Sequence, residues 1–115
     1  MTITYGLQID KKKGQVRIRL PNAIKKENIL QMENRIENSL TGCEGKIILD
    51  FADTLSVFSI LITLIIHTRK RVDEFGGELC LVNVSDKCRS QLKAMNLDRI
   101  LTIYNNGVDF LKNVT

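Results

Sequence analysis

The chain has 115 residues, 43% hydrophobic and 26% charged, which excludes wholesale disorder and fits one domain spanning 1–115 around one core. Its net charge of +4, from 17 Lys and Arg against 13 Asp and Glu, is too small to imply a nucleic-acid partner unless the cations cluster. Three cysteines without a CxxC pair and a single histidine, His67, fall short of the about four ligands a structural zinc takes, so no metal or other cofactor is expected.

Residues 3–9 and 15–20 read as an antiparallel hairpin joined across Asp10 to Gly14, where Gly14 supplies the positive φ of the turn. Val16, Ile18 and Leu20 alternate with Gln15, Arg17 and Arg19, which buries one face. Pro21 ends the second strand, and Asn22 opens a short crossing segment anchored by Ile24. From Glu27 to Leu40 the positions Ile29, Met32, Ile36 and Leu40 recur at spacings of three and four, the mark of an amphipathic helix, and Gly42 suits its left-handed terminator.

Lys46 to Phe51, KIILDF, is an apolar run of strand length that suits burial on both faces. An irregular connection leads to Ser59, which opens a helix carrying Ile60, Leu61, Leu64, Ile65, Thr68 and Val72 at helical spacing. This helix turns polar at Arg69 to Arg71 and stops at Gly76 and Gly77. Its apolar half, Ile60 to Ile66, is interrupted only by Thr63 and is far shorter than the about twenty residues of a membrane span. Membrane insertion is not expected; the helix packs on the sheet and offers its remaining apolar surface to another body. The N-terminal MTITYGLQI lacks a basic stretch followed by a long apolar one, so no signal peptide is expected and the cysteines fit a reducing cytoplasm.

Glu78 to Val84 forms another buried strand, with Cys80 as a small hydrophobe. Ser85 caps the following helix, Asp86 lies in its first turn, and Asn96 ends it because asparagine tolerates the left-handed conformation. Ile100 to Tyr104 is a last short strand, and Val108, Phe110, Leu111 and Val114 line a terminal helix after Asn106 and Gly107. Alternation of this kind predicts an α/β fold: a central mixed, mostly parallel sheet of about five strands with four helices.

Two basic clusters exist, Lys11 to Lys13 in the hairpin turn and Arg69 to Arg71 near a helix C-terminus, where cations complement the macrodipole. Neither has an aromatic stacking platform, so solvated surface rather than nucleic acid is expected. His67 has no visible nucleophile to serve, and Asp53 has no partner acid and reads as a turn residue. A non-enzymatic protein follows.

Beyond these readings, the ordered signatures resemble the STAS domain, named for sulfate transporters and anti-sigma factor antagonists. Ile47, Ile48, Leu49 and Asp50 match its apolar strand ending in Asp; Gly76 and Gly77 match its glycine pair; Leu79 to Val84 match the strand after it. Leu92, Leu97, Asp98, Arg99, Ile100, Ile103 and Tyr104 match its tail, with no gap from Asp50 to Tyr104. Between them the family carries Asp-Ser-Ser/Thr-Gly at the helix start. Here Ser59 falls on the serine that a partner kinase phosphorylates, whereas Phe58, Ile60 and Leu61 replace its neighbours, Thr63 replaces a second glycine, and Asn96 replaces the glycine before Leu97.

The resemblance implies a cytoplasmic, bacterial regulatory protein that binds an anti-sigma factor or kinase-like partner through Phe58, Ser59, Ile60, Leu61, Ile62 and Thr63. Ser59 is the phosphorylation candidate. A phosphate there would add about −1.5 to −2 charges, which a helix N-terminus tolerates and a docked partner does not. From the residues alone Ser59 is instead a helix N-cap, with Ser56 and Thr54 as turn hydroxyls nearby, and Phe58 is either an interface anchor or a core residue. Leu61 and Phe58 are expected to crowd a kinase's approach and make the docking face apolar. The alternative is an accessory subunit of a transporter or multi-protein signalling assembly, with the apolar helix as a permanent interface and no phospho-switch. A homodimer through that helix stays open.

Overall fold

In the computed structural model the described residues are 2–4, 6–12, 14–22, 24–40 and 45–104, with side chains from residue 6 onward. In chain order they form β1 (Thr2–Thr4), β2 (Leu7–Lys12), β3 (Gln15–Arg19), α1 (Ile29–Leu40), β4 (Lys46–Asp50), α2 (Ser59–Glu74), β5 (Glu78–Val82), α3 (Asp86–Ala94) and β6 (Thr102–Ile103). Short 3-10 turns at Lys26–Asn28 and Leu97–Arg99 precede α1 and β6. The expected terminal helix and the Gly42 terminator lie outside the described residues.

All strands join one six-stranded sheet in chain order, antiparallel from β1 to β3 and parallel from β3 to β6. The first predicted strand is in fact two, because the chain reverses at Gly6 and sets Thr4 opposite Leu7. Gly6 takes φ +84°, and a Cβ on it would come within 2.8 Å of the Pro21 ring, so only glycine suits the reversal. The next turn is tighter than expected: Lys12 pairs with Gln15, which places Lys11 and Lys12 in β2 rather than in the turn.

Each parallel step requires a crossover, and α1, α2 and α3 supply the three between β3 and β6. They pack on the same face of the sheet. Leu7, Ile9, Val16, Ile18, Ile47, Leu49, Leu79 and Leu81 form one core cluster with Met32, Ile36 and Leu40 of α1, Leu61, Leu64, Ile65 and Val72 of α2, and Cys88 and Leu92 of α3. Each fully buried Leu or Ile contributes about 1.5–3 kcal/mol in removing apolar surface from water. Strand residues of opposite parity face the other way, where Ile48, Cys80 and Val82 make a smaller buried cluster beside Tyr104. Thus β4 and β5 are buried on both faces.

Local chemistry ends the elements where their residues dictate. The Ser85 hydroxyl accepts the Cys88 N–H and caps α3. Asn96 sits at φ 59°, ψ 19° in the left-handed region that asparagine tolerates, just past the end of α3 as expected.

Candidate functional site

The site is built where β4 and β5 release the chain at their C-terminal ends, the usual place for function in an open parallel sheet. After Asp50 the chain crosses eight residues without regular structure, Phe51 to Phe58, and enters α2 at Ser59. Asp50 itself is 3% exposed. One of its carboxylate oxygens accepts from Arg17 Nε and Nη2 at 3.1 and 2.8 Å, and the other from the Ala52 N–H and the Asn83 Nδ2, each at 2.9 Å. Burial alone would push the Asp50 carboxyl up; the hydrogen bonds from Asn83, Arg17 and Ala52, with the Arg17 charge, outweigh it and hold the pKa below its ordinary value. Alongside, Arg19 makes a two-point contact with Asp53 at 2.9 and 3.0 Å. Asp53 is a turn residue, as expected.

Further along, the Cys88 thiol donates to the Thr54 carbonyl at 3.7 Å, and the Val57 N–H donates to Gln91 Oε1 at 2.7 Å. The connection is therefore fastened to the β5–α3 part of the fold at its start, middle and end.

Ser59 is exposed and is the first residue inside α2. The expectation that it caps the helix is overturned: the cap is Phe58, at φ −132°, ψ 171°, and the cap position makes no side-chain hydrogen bond. A residue already inside the helix cannot cap it, so the Ser59 hydroxyl is displaced from that task by one position. The first turn also holds no acidic residue, which leaves the positive end of the helix dipole uncompensated beside the hydroxyl.

The six expected partner-binding residues divide by helical geometry. Leu61 is 1% exposed, on the same stripe as Leu64, Ile65, Thr68 and Val72, and belongs to the core; it neither crowds an approach nor lies on a docking face. Phe58 and Ile62 are half-buried against the core, Ile60 is half-buried, and Ser59 and Thr63 are exposed. The Thr63 hydroxyl donates to the Ser59 carbonyl at 3.1 Å. Two apolar residues outside the expected set are open to solvent: Leu55, in the connection ahead of α2, is 71% exposed, and Ile66, on α2, is 43% exposed. Ser59, Ile62, Thr63 and Ile66 thus form one ridge of α2, at spacings of three and four.

The rest of α2 is tied to its neighbours. His67 Nδ1 lies 2.9 Å from Glu33 Oε1 of α1, and Arg71 pairs with Glu37 and Glu74. These pairs border a groove of about 280 Å³ between α1 and α2 that does not include Ser59. Arg69 donates to the Ile100 carbonyl at 3.1 Å. Two members of the second basic cluster are therefore engaged within the fold. Among the described residues no three His, Cys, Asp or Glu side chains converge on a metal position, and no helix is long and apolar enough to cross a membrane.

Sequence reasoning missed Asn83, Gln91 and Leu55. Asn83 had one local sign, since asparagine favours the positive φ it adopts, 58°. Gln91 and Leu55 had none.

This is an α/β domain in which three crossover helices share one face of a sequentially ordered sheet and an exposed serine opens the second. The chain belongs to the STAS domain family, whose model matches residues 7–109. It is 33% identical over 70 residues to a candidate anti-sigma factor antagonist of Thermotoga neapolitana; the match covers 61% of this chain and 62% of that relative's length. The crystal structure of a candidate anti-sigma factor antagonist from Thermotoga maritima superposes with a TM-score of 0.80 at 25% identity, covering 94% of this chain and 93% of the other. The Bacillus cell fate determinant SpoIIAA, solved in its phosphorylated form, shares the fold at a TM-score of 0.72 and 18% identity, with 95% and 99% covered. The protein is thus similar to anti-sigma factor antagonists, a regulatory class.

Proposed function

We propose that the protein is a non-enzymatic regulator that binds an anti-sigma factor or kinase-like partner through the ridge of α2 around Ser59, and that phosphorylation of Ser59 releases the partner. The observation that carries this reading is the placement of Ser59: an exposed hydroxyl on the first residue of a helix without a side-chain cap, on the same ridge of α2 as exposed Ile66. A kinase transfers the γ-phosphoryl group of ATP to the serine oxygen: the new P–O bond forms as the bond from the γ-phosphorus to the bridging oxygen breaks, ADP leaves, and the hydroxyl proton passes to a base of the kinase. The product carries about −1.5 to −2 charges, which the free N–H groups of the first turn and the helix dipole accommodate. The same charge, on the ridge that carries Ile62 and Ile66, would oppose an apolar partner surface seated there. That one of the structural neighbours is a phosphorylated protein supports the reading.

The test is incubation with ATP and the histidine-kinase-like ATPase encoded nearest to it, for the native protein and for Ser59→Ala, with partner binding measured before and after. Phosphate that depends on Ser59 and lowers affinity supports the switch. Absence of phosphate on Ser59 with binding retained overturns the switch and leaves a constitutive binder. That outcome is the second reading, an accessory subunit of a transporter or multi-protein signalling assembly, which the openness of Leu55 and Ile66 favours because permanent interfaces are apolar at their centre.

A further inference from the structure

We propose that Gln91 is a positioning residue of the Ser59 site, setting through the Val57 N–H the point at which α2 begins; the proposal rests on the reading of Ser59 above. The connection from Phe51 to Phe58 has no ladder or helix of its own to fix it. Its beginning is fixed by the Asp50 carboxylate, and its middle by the Cys88 thiol on the Thr54 carbonyl. Neither reaches the last residues before α2. Gln91 does, with a 2.7 Å bond to the backbone two residues ahead of Ser59.

Three observations give that bond weight. Val57 is 6% exposed, so its N–H, if released by Gln91, would have poor access to water and would pay for desolvation. Gln91 follows Cys88 by three positions on α3, so both anchor points lie on one face of a helix that is capped by Ser85 and sealed by buried Cys88 and Leu92. Finally, Phe58 provides no side-chain cap, so beyond the core packing of Phe58 and Leu61 no capping hydrogen bond of α2's own fixes where the helix starts. A hydroxyl that must meet a kinase in line tolerates little displacement, and rates fall steeply when a reacting group shifts by about an ångström.

The experiment compares Gln91→Leu, which keeps bulk and removes the acceptor, with Gln91→Glu, which keeps an acceptor oxygen. Amide hydrogen exchange followed by NMR is the first readout. In Gln91→Leu the Val57 amide is expected to exchange about fivefold faster while amides of β4 and β5 stay as in the native protein, and in Gln91→Glu to return towards the native rate. The second readout is phosphoryl transfer from ATP to Ser59 by the neighbouring kinase: kcat/KM is expected to fall on the order of tenfold in Gln91→Leu and to recover in Gln91→Glu. Should leucine disturb the fold, Gln91→Met removes the acceptor with a more adaptable side chain. Native-like Val57 exchange in the acceptor-less variants overturns the proposal, as does failure of Gln91→Glu to recover. If the native protein accepts no phosphate, the Ser59 reading falls, and the exchange measurement alone decides whether Gln91 sets the start of α2.

Discussion

The Asn83 side chain donates to the Asp50 carboxylate at 2.9 Å, tying together the ends of two adjacent parallel strands where both leave the sheet. Asn83 reaches it from a left-handed backbone position, and the same carboxylate holds Arg17 of β3 and the Ala52 N–H of the connection. One buried group thus organises three segments at the start of the connection that leads to Ser59. Its replacement has a calculable direction.

Asp50→Ala leaves the Ala52 N–H and the Asn83 amide without their acceptor and Arg17 without its carboxylate. Because Arg17 is 42% exposed at its side chain and is partly rescued by water, the loss is expected at about 2–3 kcal/mol, below that of a fully buried pair. Urea unfolding followed by circular dichroism measures it.

The pH dependence follows from the lowered Asp50 pKa. A carboxyl held below its unfolded value contributes stability that is fully present above the unfolded pKa, about 3.9, and is lost as pH falls through the folded pKa. The stability gap between the native protein and Asp50→Asn should therefore be constant from neutral pH down to about pH 5 and close progressively below about pH 4. Denaturant midpoints of the two proteins across that range would show it; a gap that widens on acidification contradicts the assignment.

Ser59→Asp puts a negative charge on the first residue of a helix whose first turn has none. The expected gain is about 0.5 kcal/mol, or roughly 2 °C in Tm, at low ionic strength, and it should shrink in molar salt. Calorimetry at the two salt levels tests whether the helix start accommodates an anion, independently of any partner.

Leu61 and Leu55 separate stability from recognition. Leu61→Ala empties a packed position and should cost about 3 kcal/mol, whereas Leu55→Ser should change stability by less than about 0.5 kcal/mol. If the docking face extends from the α2 ridge onto the connection ahead of it, Leu55→Ser instead weakens partner binding, on the order of tenfold by isothermal titration calorimetry.

Cys80 is buried between β4 and β6, and burial pushes its thiol up to about 12. The thiolate is the reacting form, so native Cys80 should resist alkylation at pH 8 and react once the sheet opens. Peptide-resolved mass spectrometry in increasing urea should show Cys80 labelling that tracks global unfolding.

Much of the architecture was written into local patterns. The period of two in Gln15 to Leu20, the spacing of Ile29, Met32, Ile36 and Leu40, and the apolar KIILDF and ELCLV runs predicted elements that the fold contains. Ser85 and Asn96 ended or opened helices by their own chemistry, since a cap or a left-handed turn is decided within a few residues. The reversal at Gly6 was less visible because β1 and β2 together mimic one continuous strand.

The candidate site divides along the same line. Sequence by itself determined that a serine stands at the start of an apolar helix after a strand ending in Asp, because order along the chain and hydrophobic period are properties of the chain alone. Only the tertiary structure decided that Phe58 takes the cap position, that Leu61 turns into the core while Leu55 faces solvent, and that Gln91 fastens the backbone just before Ser59. These outcomes depend on which side of α2 meets the sheet and on contacts between residues more than thirty positions apart, such as Asp50 with Asn83 and Val57 with Gln91. A helical period names a stripe of residues, but the partner packed against that stripe determines which of its neighbours remain exposed.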